Sequence, residues 1–109
     1  MRVLAIDTAL EGCSAAVLDT GRGGIVARQT LRMARGHAEA LMPVIARVMD
    51  QARIEFADLD RIAVTTGPGS FTGLRVGIAA ARGIALAASK PAIGLSTLAG
   101  FAAPPIAQD

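Results

Sequence analysis

The apolar residues of this 109-residue chain change their spacing at His37, and that change constrains the fold more than any other feature. Before it lie three short apolar runs, Arg2–Ile6, Cys13–Leu18 and Ile25–Leu31, separated by short polar or glycine-containing turns. Such runs predict β-strands, and the short links between them predict an antiparallel meander. After His37 the apolar residues recur at helical intervals, which predicts an amphipathic helix.

The first predicted helix covers residues 38–53 and contains a proline. Leu41, Ile45 and Val48 follow the helical spacing on one side of it. Pro43 has no N–H to donate and crowds the preceding turn. We therefore expect this helix either to begin close to Leu41 or to kink in its first turns.

Two further short apolar runs, Arg61–Thr66 and Ala92–Leu95, predict a fourth and a fifth strand. The helix between them covers residues 71–89 and ends before Pro91, and a last helix is predicted after Ser96. The order is therefore βββαβαβα. Because parallel strands need crossover connections, this order predicts one α/β domain with a mixed five-stranded sheet flanked by helices.

The composition excludes several classes of protein. With 52% hydrophobic and 18% charged residues, the chain is too apolar to be disordered. Only 3% of its residues are aromatic, which argues against a module that stacks single-stranded RNA on rings. Arg75 and Arg82 interrupt the longest apolar stretch, and Asp7 precedes any signal-like run, so no membrane span or export is expected. One cysteine allows no internal disulfide, and we expect a cytoplasmic protein.

A glycine-rich turn, Gly67–Arg75, lies where the fourth strand meets the following helix. Such a junction can bind an anion through backbone N–H groups. Its spacing fits neither the P-loop nor the dinucleotide-binding motif, and Pro68 removes one donor. A tight turn with Ser70 as the N-cap of the helix is the structural alternative, and both interpretations remain open.

Small residues occupy one side of the second predicted helix, opposite Arg75 and Arg82. Such a side lets another backbone approach closely, and that backbone can belong to the protein's own sheet or to another helix. The residues of this side are Gly73, Gly77, Ala80, Ile84 and Ala87.

Three polar residues around the first turn form a candidate phosphate or magnesium site. Asp7, Thr8 and Ser14 flank this turn, although a lone carboxylate at a strand end is also common in ordinary turns. Cys13 and His37 could act as nucleophile and base, but a thiol in a strand is more often buried and inert. With a single His and a single Cys, no zinc site is expected.

Three segments of the chain resemble one bacterial protein family. These segments are MRVLAIDTALEGCSAAVL, HAEALMPVI and TTGPGSFTGLRVGIAAARGIALAASKPAIGLSTLAGFA. They resemble the amino-terminal half of the TsaB (YeaZ) proteins, which take part in tRNA threonylcarbamoyladenosine (t6A) biosynthesis. The resemblance implies a ribonuclease-H-like lobe of the actin-like ATPase (ASKHA) fold. Residues 1–109 would then be the first of two lobes, with the second lobe absent and the last helix cut short.

The resemblance also implies a protein with no catalysis of its own. The related catalytic subunit, TsaD, carries a metal-binding H-x-x-x-H pair at the positions of Thr97 and Phe101, and neither residue is a good metal ligand. The family pattern implies a scaffold that binds and activates TsaD, with the ATPase TsaE as a third component. It would meet tRNA only through the complex, and no metal or cofactor is implied.

The resemblance further implies which surface of the lobe binds another protein. TsaB-type lobes associate through the two helices that lie here at about 38–53 and 71–89, with a second copy when alone and with TsaD in the complex. We therefore expect a partner interface at Leu41, Ile45, Met49, Gly73, Gly77, Ala80, Ile84 and Ala87.

An enzyme of the same superfamily is the alternative, either a nucleotide-dependent phosphotransferase or a glycoprotease-like lobe. A phosphotransferase would bind phosphate at the turn after Asp7. Actin-like ATPases have a glycine- and threonine-rich turn there, whereas in this chain Glu11 would repel phosphate. Asp7, Thr8 and Ser14 are therefore expected to form a vestigial phosphate loop.

Overall fold

The computed structural model describes residues 1–8, 12–32, 37–67 and 71–96. Their elements follow the predicted order, and each strand extends at most one residue beyond either predicted end. The helix predicted after Ser96 lies outside the described residues. The bounds are β1 Arg2–Asp7, β2 Gly12–Asp19, β3 Gly24–Arg32, α1 His37–Ala52, β4 Arg61–Gly67, α2 Phe71–Ala88 and β5 Ala92–Ser96.

The strands form one mixed sheet in the order β3-β2-β1-β4-β5. β2 pairs antiparallel with β1 and with β3, whereas β4 pairs parallel with β1 and with β5. Parallel neighbours cannot be joined by a tight turn, and the connections that contain α1 and α2 provide the necessary length. The prediction of an α/β fold with a mixed five-stranded sheet is confirmed, and the architecture is that of a ribonuclease-H-like lobe.

Both helices pack on the same face of the sheet. α1 lies against β2 and β3, and α2 lies mainly against β4. Side chains alternate along β1, so Leu4 and Ile6 point into the core between sheet and helices. This core is aliphatic. Its largest fully buried side chains include Leu4, Ile6, Leu41, Ile45, Leu59 and Ile62.

The first helix begins at His37, so of the two alternatives for Pro43, a start near Leu41 or a kink in the first turns, the start near Leu41 is wrong. Pro43 lies inside the helix and removes one helical hydrogen bond, which costs about 3 kcal/mol. Leu41, Val44 and Ile45, on either side of the proline, are at most 2% exposed. Burying each such side chain contributes roughly 1.5–3 kcal/mol. Packing on the sheet therefore outweighs the local preference of the proline.

Candidate partner-binding surface

A groove runs between α1 and α2 on their surface. Its first part has a volume of about 490 Å³, and its second part, about 500 Å³, is also bordered by the 3₁₀ turn Phe56–Asp58. Met42 of α1 and Ala80 of α2 line both parts, so the groove is continuous. The first part is lined by Ala38, Met42, Thr72, Arg75, Val76 and Ala79, among others.

The second part of the groove is lined by apolar side chains and one glycine, and we call it the apolar pocket. Two large apolar side chains near it are exposed to solvent, Met42 at 47% and Leu86 at 83%. A contiguous apolar surface that a chain leaves in water is typical of a protein interaction site. The apolar pocket is lined by Met42, Phe56, Ala57, Gly83, Ile84 and Ala87, together with Ala80 and Ala88.

Three of the predicted interface residues lie on α1, and the structure places all of them in the protein's own core. Leu41, Ile45 and Met49 are at most 5% exposed and pack in the cluster between helices and sheet. Their helical spacing therefore reflects packing on the sheet. Their assignment to a partner interface stays a prediction, and Leu41 also lines the first part of the groove.

Two predicted interface residues of α2, Gly73 and Gly77, also face the sheet. The buried hydroxyl of Thr8 donates a hydrogen bond to the carbonyl of Gly73. A Cβ atom at Gly77 would collide with that hydroxyl and would lie 3.4 Å from Cγ2 of Val64. The close approach that these glycines allow is thus between α2 and the protein's own sheet, and their assignment to a partner interface stays a prediction.

The other three predicted residues of α2 do line the groove. Ala80 and Ile84 are half-buried and Ala87 is exposed, and all three line the apolar pocket. The prediction missed Met42 and Leu86. Each is an apolar residue directly after a buried one, about 100° further around its helix and so off the buried side. An apolar residue directly after a buried one, and so on the exposed side of its helix, was the sequence signal that could have identified Met42 and Leu86.

The residues of the predicted phosphate loop are engaged with neighbouring strands and with α2. The carboxylate of Asp7 accepts a hydrogen bond from the Thr65 hydroxyl at 2.9 Å. The Ser14 hydroxyl donates to the Thr30 hydroxyl at 3.2 Å. The Thr8 hydroxyl donates its hydrogen bond to the carbonyl of Gly73 in α2. Residues 9–11, including Glu11, lie outside the described residues, so the vestigial phosphate loop stays a prediction.

Several other predicted sites lie outside the described residues, namely 68–70 of the glycine-rich turn and the positions Thr97 and Phe101. Across the described ranges, no three His, Cys, Asp or Glu side chains cluster as metal ligands would. Cys13 is buried, and burial raises the pKa of its thiol, in keeping with a thiol of low reactivity. None of the helices in the described ranges is long and apolar enough to cross a bilayer.

Comparison with known proteins gives a family match over most of the chain. The family model described as "TsaD: tRNA N6-adenosine threonylcarbamoyltransferase" matches residues 14–109. The TsaB protein of Escherichia coli (strain K12) is 41% identical over 98 residues, which are 90% of this chain and 41% of that protein. A tRNA N6-adenosine threonylcarbamoyltransferase of Erythrobacter litoralis is 51% identical over 69 residues, 63% of this chain and 20% of that protein.

A solved structure shows the same fold. YeaZ from Pseudomonas aeruginosa superimposes with a TM-score of 0.81 at 37% identity, covering 90% of this chain and 45% of that one. The chain thus spans less than half the length of these relatives. From the extent of the family match and the shared fold, the chain belongs to the TsaD/TsaB (YeaZ) protein family.

Proposed function

We propose that this protein is a non-catalytic subunit of t6A biosynthesis in the cytoplasm, which binds and activates the threonylcarbamoyltransferase TsaD, with TsaE as the third component. The observation that carries the proposal is the groove between α1 and α2, with Met42 and Leu86 exposed beside it. Such a surface presents apolar area that only another macromolecule can cover. Similarity to TsaB supports the choice of pathway and partner.

The size of the helical face supports the proposal. α1 and α2 have 16 and 18 residues, which makes them about 24 and 27 Å long. Side by side they present roughly 500 Å² in projection. The solvent-accessible area of this face is larger than its projected area, because side chains make the surface uneven. It therefore comes into the range of the roughly 800 Å² that each partner of a specific interface buries.

The absence of catalysis is proposed from the sequence. Thr97 and Phe101 stand where the resemblance places the metal-binding histidines of TsaD, and the chain has one His in all. Without that metal site the protein has no counterpart of the TsaD metal chemistry. Its role is then to hold TsaD in an active arrangement, and tRNA meets this subunit only within the complex.

A reconstitution assay tests the proposal. Purified TsaD, TsaE, this protein, tRNA and threonylcarbamoyl-adenylate are mixed, each protein is omitted in turn, and t6A is measured by nucleoside mass spectrometry. We expect t6A formation to need TsaD and to fall strongly without this protein. Full activity in the absence of this protein would contradict the proposal.

A matched pair of variants tests the groove. Ala79→Arg places a long cation in the first part of the groove, whereas Ala92→Arg makes the same change at an exposed position of β5. We expect Ala79→Arg to lose capture of TsaD in a pull-down and Ala92→Arg to retain it. Equal binding by the two variants would show that TsaD does not use the groove.

A second candidate function is threonylcarbamoyl transfer by this chain itself. The observation in its favour is that the matching family model is that of TsaD, and that a threonylcarbamoyltransferase is 51% identical over 69 residues. The omission of TsaD in the same assay distinguishes the two candidates. t6A formed by this protein without TsaD would establish the transferase and overturn the non-catalytic role.

A further inference from the structure

β3 forms one edge of the sheet, and within the described ranges no strand pairs with its outer side. The strand order places β3 beside β2 alone, and its backbone makes no other hydrogen bond to a described residue. Along an edge strand, every second residue directs its N–H and C=O groups away from the sheet. β3 has nine residues, which give an edge about 30 Å long. An edge of this length can accept a further strand.

The side chains of β3 alternate between the two faces of the sheet. Ala27 lies in the core cluster between sheet and helices, and Gln29 donates a hydrogen bond to Gln51 of α1 at 3.0 Å. Leu31 follows in the same alternation, opposite the buried Cys13 of β2, and is 42% exposed. On its helix side, the edge therefore offers an apolar side chain that an added strand can cover.

The opposite face of β3 is basic. Arg28 and Arg32 alternate with the residues that point to the helices, and both arginines are exposed. The ion pairs of the described ranges all involve Asp19, so these two guanidinium groups have no acidic partner there. On the same face, Asp7 lies two strands away on β1 and is engaged with β4. The cross-strand neighbours of the two arginines are the uncharged residues Ala16 and Gly12.

A groove of about 710 Å³ lies between β3 and the end of α1. Three consecutive residues of β3, 26–28, line one side of it, and Asp50, Gln51 and Arg53 line the other. Consecutive residues point to opposite faces of a sheet, so the groove opens at the edge of the strand. Asp50 and Arg53 carry opposite charges, which leaves the charge of Arg28 uncompensated. The groove thus joins the hydrogen-bonding edge to a cationic side chain.

We propose that the open edge of β3 binds an extended segment of another protein as a sixth strand, and that acidic and apolar side chains alternate along this segment. Strand addition is a common mode of peptide recognition, in which backbone hydrogen bonds give affinity and alternate side chains give specificity. In the added strand, one set of side chains lies beside Arg28 and Arg32 and is acidic. The other set lies beside Leu31 and is apolar. This edge is separate from the groove between α1 and α2, so the proposal goes beyond the proposed function and does not depend on it.

Charge and backbone geometry select this occupant over a second copy of the chain and over RNA. Two β3 strands paired antiparallel about a two-fold axis would place Arg28 and Arg32 of both copies on one face. Like charges at cross-strand positions are destabilising, whereas opposite charges there are stabilising. An RNA backbone would contact the arginines but would leave the N–H and C=O groups of the edge without strand partners.

Amide hydrogen exchange of the full chain, followed by NMR, tests the proposal. The probe is a nine-residue peptide of alternating glutamate and valine residues, blocked at both ends. The control peptide has lysine in place of glutamate. We expect the glutamate peptide to slow exchange at least tenfold at every second amide of β3, and the lysine peptide to leave exchange unchanged. Equal effects of the two peptides, or no protection in β3 at millimolar glutamate peptide, would overturn the proposal.

Charge reversal tests the two arginines. Arg28→Glu combined with Arg32→Glu should weaken binding of the glutamate peptide at least about tenfold and should confer binding of the lysine peptide. Arg61→Glu combined with Arg82→Glu is the matched control, since it changes the net charge equally at exposed residues of β4 and α2. We expect the control to bind within about twofold of the wild type, and circular dichroism should show that both proteins are folded. Equal weakening by the two double variants would overturn the role of Arg28 and Arg32.

Truncation tests the apolar side of the edge. Leu31→Ala should weaken binding of the glutamate peptide about threefold or more, because less apolar surface is covered. Ile93→Ala is the matched control, since Ile93 is 36% exposed on β5 at the opposite edge of the sheet. Equal affinities of these two variants would contradict the contact with Leu31.

The other occupants give different results in the same experiments. Slower exchange at the same β3 amides when the chain alone is concentrated from micromolar to millimolar would assign the edge to a second copy and overturn the proposal. A tRNA transcript that binds the wild type but not the Arg28→Glu, Arg32→Glu variant, with no protection of β3 by the glutamate peptide, would assign the arginines to RNA. That result would overturn the proposal as well.

Discussion

The two helices lie on the same face of the sheet but use their apolar residues differently. α1 buries large side chains, with Leu41, Ile45 and Val48 at most 1% exposed. α2 turns small residues to the sheet and keeps Ile84 partly and Leu86 largely exposed. The comparison teaches that α1 supplies more of the buried cluster than α2 does, whereas α2 leaves apolar side chains exposed that the proposed function assigns to a partner. Between Thr72 and Ala88, the buried residues of α2 are Gly73, Gly77, Ala81 and Ala85.

The difference has a local cause at the end of β1. The buried hydroxyl of Thr8 donates to the carbonyl of Gly73, which holds the first turn of α2 against the sheet. At Gly77 the helix passes so close that no Cβ atom fits. A helix held this closely has no room for large side chains beneath it. From Thr72 onward, its large apolar residues therefore lie at its flanks and on its outer side.

The largest effect expected of a truncation to alanine tests this division between the helices. Ile45→Ala should lower the free energy of unfolding by about 2–5 kcal/mol, because it leaves a cavity in the core. Leu86→Ala should change it by no more than about 0.5 kcal/mol, since the side chain is mostly in water. Urea denaturation of both variants measures the two values. A comparable loss for Leu86→Ala would contradict the division.

A second prediction concerns the close contact of α2 with the sheet. Gly77→Ala should destabilise the fold by about 1–3 kcal/mol through overpacking against Thr8, and Gly77→Leu should unfold it. Combining Thr8→Ala with Gly77→Ala should cost less than the sum of the single changes, by about 0.5–3 kcal/mol, because the new methyl group then replaces the hydroxyl. Strict additivity in urea denaturation would show that the two side chains do not meet.

A third prediction uses the other helical glycine as the matched control. Gly83→Ala should raise the free energy of unfolding by about 0.5–1 kcal/mol, because alanine favours the helix and the new Cβ meets open space. Opposite signs for the same substitution at positions 77 and 83 would separate the sheet side of α2 from its groove side. Destabilisation at both positions would argue that Gly83 is packed as well.

The smallest expected effect concerns the end of α1. Asp19 accepts hydrogen bonds from Arg2 at 3.1 Å and from Arg22 at 3.2 Å, and Arg22 also donates to the carbonyl of Ala52, the last residue of α1. Burial alone would raise the pKa of Asp19, but the hydrogen bonds from Arg2, Arg22 and the Gly21 N–H lower it below its ordinary value of 3.8.

A lowered pKa in the folded state means that Asp19 contributes stability above its ordinary pKa. That contribution is lost as the pH falls below 3.8 through the folded-state pKa. We expect the thermal midpoint of the wild type to fall in this range more steeply than that of Asp19→Asn, which has no proton to bind there. Identical slopes for the two proteins between pH 5 and pH 2 would contradict this role of Asp19.

The spacing of apolar residues was sufficient to predict the strands, the order of the elements and the mixed sheet. These features depend on local preferences and on which residues avoid water, both of which are encoded in short stretches of sequence. The local preference of Pro43 allows a start of α1 near Leu41 or a kink in its first turns, and the start near Leu41 is wrong. Burial of Leu41 and Ile45 on the sheet, a tertiary effect, decided it.

The sequence determined that α2 has a side of small residues, and only the tertiary structure decided what that side contacts. Periodicity shows that a set of residues shares one side of a helix, but close packing on a sheet and close packing on a partner select the same small residues. The position of Thr8 beneath Gly77 assigns that side to the sheet, and this contact joins residues far apart in the chain. The exposure of Leu86 follows from the same packing, because fixing one side of a helix against the core leaves the other side in water.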